Sequence, residues 1–412
     1  MNKRMKWTRL AVLAALVPLA ACSDVLSLDV EAPGRISDGD LNSAEAIPGL
    51  VAGMSYDLTQ AYDGVLQDLA LASGDLWHSG SYDFGTYPRG ILLQAPEDWD
   101  GEFGSMQQAR WVAENGIARI QEFYPEAQFN KNANVARAYL LAGFANRLLG
   151  EIQCTSTIDG GPEVQRTEHF NRASAHFSKA IEIGGAAGVN SIVTAGYGGR
   201  ASVRAWLGDW SAAATDAAQV PLGFSYDAVF STTSGAVAND LVDETTDRRE
   251  LTVFNTMWDG ITDDTRVPWR VVYDNAGQVQ KGQDGETDFY QQRKWLDEDT
   301  DVAMTHGREA RMLRAEAALR SNNIPGMMTH INAARMDAGM ADLATPANTT
   351  EAWNVMRMER AANLWLEGRR LWDLHRWKAD GGVIADPFAA SRDTCFPISD
   401  EERRVNSNLS GG

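Results

Sequence analysis

Trp77, Tyr82, Tyr87 and Trp99 fall within one stretch, residues 73–105, that is otherwise rich in Gly, Ser and Asp. Trp258, Trp269 and Tyr273 fall within a second, residues 221–302, which mixes short β-like pieces such as ELTVFNTMW and RVPWRVVYD with acidic loops. Aromatic rings set among Asp, Asn and Arg can hold an amphipathic ligand: a sugar packs its C–H face on a ring and directs its hydroxyls to the neighbouring polar groups. These loops, with His78 beside Trp77, are therefore the candidate ligand-binding positions: Trp77, His78, Tyr82, Tyr87, Trp99, Trp258 and Trp269. The opposing reading is that the same rings pack the loops onto a scaffold.

Other chemistry is poorly served. The six histidines are scattered, with no H-E-x-x-H, and no nucleophile motif is present. There is no C-x-x-C and no Cys/His cluster, so a zinc site is not expected. Asp297 to Asp301 alternate oxygen ligands, but lack the glycine and late glutamate of an EF-hand, and read as a solvated acidic loop. Nothing in the sequence calls for a cofactor or a metal. A hydrolase would need two carboxylates about 5–10 Å apart across a cleft, which 56 acidic residues do not exclude.

The chain opens with Lys3, Arg4, Lys6 and Arg9, followed by an uncharged, mostly apolar run from Leu10 to Ala21. That run is too short to span a bilayer, which takes about 20 helical residues; it has the form of a signal peptide, residues 1–21. Leu19-Ala20-Ala21-Cys22 resembles a bacterial lipobox, which would make Cys22 the lipidated first residue of the mature chain, with Ser23 after it favouring the outer membrane. An ordinary signal peptide with an incidental cysteine is the alternative. Cys154 and Cys395 then remain, and two cysteines in an exported chain are expected to pair.

The formal charge of −19 becomes about −23 once the basic leader is removed, a surface that repels nucleic acid and anionic membranes. Neutral ligands, cations or a basic partner remain compatible.

These residues must be positioned by helices. NVARAYLLAGFANRLLGEI places Val135, Ala138, Tyr139, Ala142, Ala145 and Leu149 on one face. HFNRASAHFSKAIEIG does the same with Phe170, Ala173, Phe177, Ala180 and Ile181. Two further segments read helix–turn–helix, with turns at Gly208-Asp209 and at Ser321 to Pro325. Ala201 precedes Gly208, and Ala315 precedes Asn322, by the same seven positions. The expected fold class is mainly α, built of degenerate tetratricopeptide-like hairpins with a loop-rich second layer. The helical scaffold is expected mainly at 45–72, 106–220 and 303–380, and the excursions at 73–105 and 221–302.

Several motifs then fall into order. ERAANLWLEGRRLWDLHRW carries Glu359-Arg360, Glu367-Gly368, Arg370, Trp372 and Asp373-Leu374, with Asn363 where a glutamate is usual. REARMLRAEAAL, then Asn332, Arg335, Ala338 and Gly339, the loop DDTRVPW with Thr265 in place of a proline, DLNSAEAIPGLVAGMSYDL and the terminal CFPISDEERRVNSNL complete the set. With these motifs, residues 22–412 resemble the SusD/RagB family of nutrient-uptake outer-membrane lipoproteins. The resemblance implies a binding protein, not an enzyme. It would deliver an oligosaccharide or peptide to a SusC-like TonB-dependent outer-membrane transporter and would be held at the membrane by its lipid. Glu359, Glu367, Arg370 and Asp373 are expected to form a buried polar network, not a ligand site. The rival readings are a secreted α-helical glycoside hydrolase and a scaffold lipoprotein that binds no ligand.

Overall fold

The computed structural model describes residues 41–80, 83–93, 98–233 and 235–409. Cys22, the leader and Tyr82 lie outside the described residues. The architecture below is that of the unit beginning at Ser43.

In chain order the elements are α1 (Ile47–Ser73), β1 (Trp77–His78), α2 (Asp98–Phe123), α3 (Glu126–Phe129), α4 (Ala133–Ile152), β2 (Thr155–Ser156), β3 (Val164–Gln165), α5 (Thr167–Ala187), α6 (Asn190–Trp206) and α7 (Trp210–Ala217). There follow β4 (Ser225–Ala228), α8 (Asp240–Glu244), β5 (Leu251–Thr252), β6 (Trp269–Val271), β7 (Tyr290–Gln292) and β8 (Val302–His306). Helices α9 (Gly307–Arg320), α10 (Ile324–Asp337), α11 (Thr349–Asn363), α12 (Arg369–Asp380) and α13 (Asp400–Val405) close the chain. The fold is mainly α. Its strands, among the described residues, form only two-stranded ribbons: β1–β5, β2–β3, β4–β8 and β6–β7.

Helices adjacent in sequence pack together: α1 on α2, α4 on α5, α5 on α6, α6 on α7 and α9 on α10. Two of these hairpins turn by the same chemistry. Gly208 and Asn322 both take positive φ, +81° and +57°, where Gly and Asn are the residues least penalised. Asp209 and Asn323 then cap the next helix, accepting from Ala212 N and Gly326 N. The equivalence expected from the seven-residue spacing is thus a shared turn.

Helix α4 is the centre of the molecule, touching α1, α2, α5 and α6 and buried almost throughout. Close approach around it depends on missing Cβ atoms. Phe177 of α5 lies between Gly143 of α4 and Gly199 of α6. A Cβ on either glycine would come within 2.6 Å or 2.3 Å of its ring. Helix α2 begins at Asp98, earlier than the expected boundary at 106, and takes Trp99 with it into the core.

The motif residues of the C-terminal half meet in a buried charge network. Arg266, from DDTRVPW, and Arg335 both reach Glu359, at 2.6 Å and 2.5 Å. Glu367 binds Lys294 Nζ at 2.7 Å and His306 Nε2 at 2.8 Å. Glu316, from REARMLRAEAAL, accepts from Arg376, Arg320 and the Trp377 indole. Arg370 donates to Ser73 O, and its guanidinium lies 3.8 Å from Asp75. Deeper still, Arg147 pairs with Glu151 at 3.1 Å, and Arg369 lies over Trp372 at 4.3 Å. Buried charges persist only when paired and hydrogen-bonded, and these spacings supply the partners.

Candidate functional site

The two aromatic excursions fold against each other. β1 pairs antiparallel with β5, placing Trp77 opposite Thr252 and His78 opposite Leu251. Ser79 extends the contact, with its N–H donating to Glu250 O at 2.7 Å and its hydroxyl to Arg249 O at 2.9 Å. Thr252 then ties β5 to β7. Its hydroxyl donates to Asp288 O at 3.0 Å and accepts from Tyr290 N at 2.8 Å. β7 in turn pairs with β6, with Trp269 opposite Gln292 and Val271 opposite Tyr290.

This ladder assembles three rings. Trp269 and Tyr290 are stacked, with centroids 5.2 Å apart and planes within 3°. Phe254 meets Tyr290 edge-on, 5.2 Å away at 79°. The Trp269 indole is fixed by donation to Ile261 O at 2.7 Å. All three rings are half-buried, and Tyr273 nearby is 62% exposed. The rim is polar. Partial burial, together with Asp259 and Asp288, raises the Tyr290 phenol above its ordinary range, so it stays a neutral donor and acceptor. Lys281 pairs with Asp288, and Asp259 accepts from Asn255 N at 3.1 Å. An apolar platform with acceptors and a cation at its edge can stack a pyranose ring and bind its hydroxyls.

The candidate residues separate by burial. Trp77 and His78 are half-buried on the ribbon that leads to the platform. Burial lowers the His78 pKa; Glu250 and Asp284 oppose this and Arg89 adds to it, so the imidazole is neutral at pH 7. Trp269 belongs to the platform itself. Tyr87, Trp99 and Trp258 do not present a free face, a correction to the sequence-based expectation. Trp99 stacks on Phe396 at 4.2 Å and donates to Pro397 O at 2.9 Å. Tyr87 meets Phe396 edge-on at 5.2 Å. Trp258 is 0% exposed and donates to Asp75 at 3.0 Å, against Trp365. The buried indole N–H groups of Trp99 and Trp258 have protein acceptors, the arrangement of packing tryptophans.

Sequence reasoning missed Phe254 and Tyr290. Phe254 lies in ELTVFNTMW, beside the Trp258 that was preferred there. Tyr290 lies in TDFYQQR, whose short alternation gave no signal without the strand it pairs with.

Cys154 and Cys395 form a disulfide, with Cα atoms 5.1 Å apart. The flanking backbone continues the join, through Cys154 N to Phe396 O at 2.8 Å and Phe396 N to Ile152 O at 2.9 Å. The acidic loop 297–301 is anchored by Asp301, which accepts from Phe230 N at 2.9 Å. Among the described residues no group of three or more His, Cys, Asp or Glu could hold a metal ion, and no helix is long and apolar enough to cross a membrane.

Residues 244–406 match the SusD family model. No curated protein sequence matches the chain. Among solved structures, a SusD superfamily protein from Parabacteroides distasonis gives a TM-score of 0.67 at 13% identity, covering 91% of this chain and 98% of its own. One from Bacteroides thetaiotaomicron gives 0.64 at 17% identity, covering 89% and 98%. A SusD-like carbohydrate binding protein from Bacteroides vulgatus gives 0.64 at 14%, covering 89% and 97%. At these identities the likeness is one of fold.

Proposed function

We propose that this chain, whose residues 244–406 match the SusD family model, binds a neutral glycan on the Trp269–Tyr290–Phe254 platform and passes it on unchanged to a transporter. The observation that carries this reading is the parallel Trp269–Tyr290 pair, half open to solvent and rimmed by Asp259, Asp288 and Lys281. An oligosaccharide is favoured over a peptide because the stacked Trp269 and Tyr290 rings offer flat apolar surface to sugar C–H faces, with acceptors and a donor at the edge for hydroxyls. The recipient is a SusC-like TonB-dependent outer-membrane transporter, and Cys22 carries the lipid that holds the protein at the outer membrane. The similarity of fold to a SusD-like carbohydrate binding protein supports the glycan class. Binding needs no reaction, so the protein is not an enzyme. The half-buried Trp77 and His78 border the same ribbon and would contact a ligand longer than one sugar.

The test is binding of soluble oligosaccharides by calorimetry. One ring face buried against a sugar contributes about 1–2 kcal/mol by area. Trp269→Ala or Tyr290→Ala should therefore weaken binding about tenfold while the far-ultraviolet helical signal stays unchanged. Parental affinity in both variants would place the site elsewhere. Release of reducing ends from the bound glycan would make the protein a hydrolase.

A further inference from the structure

A second concavity lies between α2, the β2–β3 loop and α13, with a volume of about 440 Å³. Trp111, 52% exposed, lines it and is the one exposed tryptophan among the described residues. We propose that this groove is a second carbohydrate site, taking one or two uncharged sugar units, built separately from the Trp269–Tyr290 platform. The ligand class rests on the glycan reading above; the groove itself does not.

The groove is held rigid from three sides. Arg110, buried beneath it, donates to Asp159 at 2.7 Å, Glu114 at 3.1 Å and Gln107 at 3.3 Å. Thr157 donates to Glu402 at 3.0 Å, joining the β2–β3 side to α13. Asn406 and Asn408 donate to Gly161 O and Gly160 O at 2.9 Å and 2.8 Å. Cys154 precedes one wall and Cys395 the other, so the disulfide fixes their separation. Walls fixed before the ligand arrives reduce the ordering cost of binding.

The chemistry selects the ligand. An indole face flanked by polar side chains suits a molecule with one apolar face and a hydroxylated edge. Each nitrogen of Arg110 already has a protein acceptor, and Asp159 and Glu402 line the groove, so phosphates and sugar acids are disfavoured. The carboxylates and the Gln107 and Gln108 amides instead offer acceptors to hydroxyl donors. The volume falls within the range of small-ligand pockets, and the groove opens broadly to solvent, which leaves room for a chain of sugars to continue beyond it.

The experiment follows tryptophan indole resonances in ¹H–¹⁵N spectra, with Trp111 assigned through Trp111→Phe and Trp269 through Trp269→Phe. The probes are neutral gluco-, xylo-, manno- and galacto-oligosaccharides. The expected result is a saturable shift of the Trp111 resonance that persists in Trp269→Ala. Trp111→Ala should weaken that binding about tenfold, and Thr157→Val, which removes one of the bonds joining the two walls, should weaken it by less with the fold intact. A shift at Trp269 alone overturns the second site and leaves the platform standing. A shift at Trp111 alone upholds the second site and overturns the platform. No shift at either overturns both. A Trp111 silent to every sugar but shielded on membranes carrying the transporter marks a protein contact, and also overturns the proposal.

Discussion

Replacing Glu316 with Gln should cost the fold about 3 kcal/mol at neutral pH. Glu316 is fully buried on α9 and accepts hydrogen bonds from Arg376, Arg320 and the Trp377 indole. Burial alone would raise its pKa. The Arg376 guanidinium, with Arg320 and Arg360, more than reverses this and holds the carboxyl at about 2, against an ordinary 4.5. A depression of that size corresponds to about 3 kcal/mol of stabilisation of the charged form, the low end of the roughly 3–5 kcal/mol for breaking a buried ion pair. Since the folded-state pKa is depressed, the contribution is complete above the unfolded value of about 4.5 and lost as pH falls towards 2. Gln keeps the shape and an acceptor but has no charge to lose. Urea unfolding of parent and Glu316→Gln, followed by circular dichroism between pH 7 and pH 3, reads both quantities. The gap should be about 3 kcal/mol at pH 7 and shrink on acidification below about 4.5. A gap under about 1 kcal/mol at pH 7, the level of a surface pair, or one unchanged at pH 3, would refute the electrostatic account.

Gly199→Ala should destabilise by about 1–3 kcal/mol through the clash with Phe177, although alanine is the better helix former; Phe177→Leu in the same chain should restore part of the loss in a thermal melt. Replacing Cys154 and Cys395 by Ala should cost at most about 5 kcal/mol by the chain-entropy model, measured by denaturant titration, and unreduced peptide mapping should recover the two cysteines linked. Cys22→Ala should release the protein from the outer-membrane fraction, read by fractionation and blotting; unchanged partition would remove the lipid anchor from the proposal.

The helical scaffold was legible because its signals are local. Apolar spacing located α4 and α5, and the Gly208-Asp209 and Asn322-Asn323 turns carry their own φ and capping chemistry. The 359–377 motif was legible as a packing network because its charges recur among apolar residues, although the segment folds as the end of α11, a turn with Leu366 and Gly368 at positive φ, and the start of α12. Glu359 does meet arginines, but these come from residues 266 and 335, partners that no periodicity reveals. The aromatic loops were the hard part. Trp258 and Trp269 look alike in sequence. One finds Asp75 in the interior and the other a stacked Tyr290 at the surface, and both distinctions depend on residues far away in the chain. Tyr87 and Trp99 were misplaced for the same reason, since the ring that covers them, Phe396, lies about 300 positions on.

That covering ring has a consequence for how the molecule is made. Phe396 fills the space between Tyr87 and Trp99, and Asp393 secures Leu92 N from the same tail. The helices α1, α2 and α4 are complete early in synthesis, but the gap among them is closed by residues about 300 positions beyond Tyr87 and Trp99. Until then, two aromatic rings and the thiol of Cys154 stay uncovered. Assembly therefore waits on a segment far along the chain, and pairings this distant make folding slow and its early species prone to association. A chain truncated before Cys395 should keep its early helices yet remain a substrate for holding chaperones and proteases.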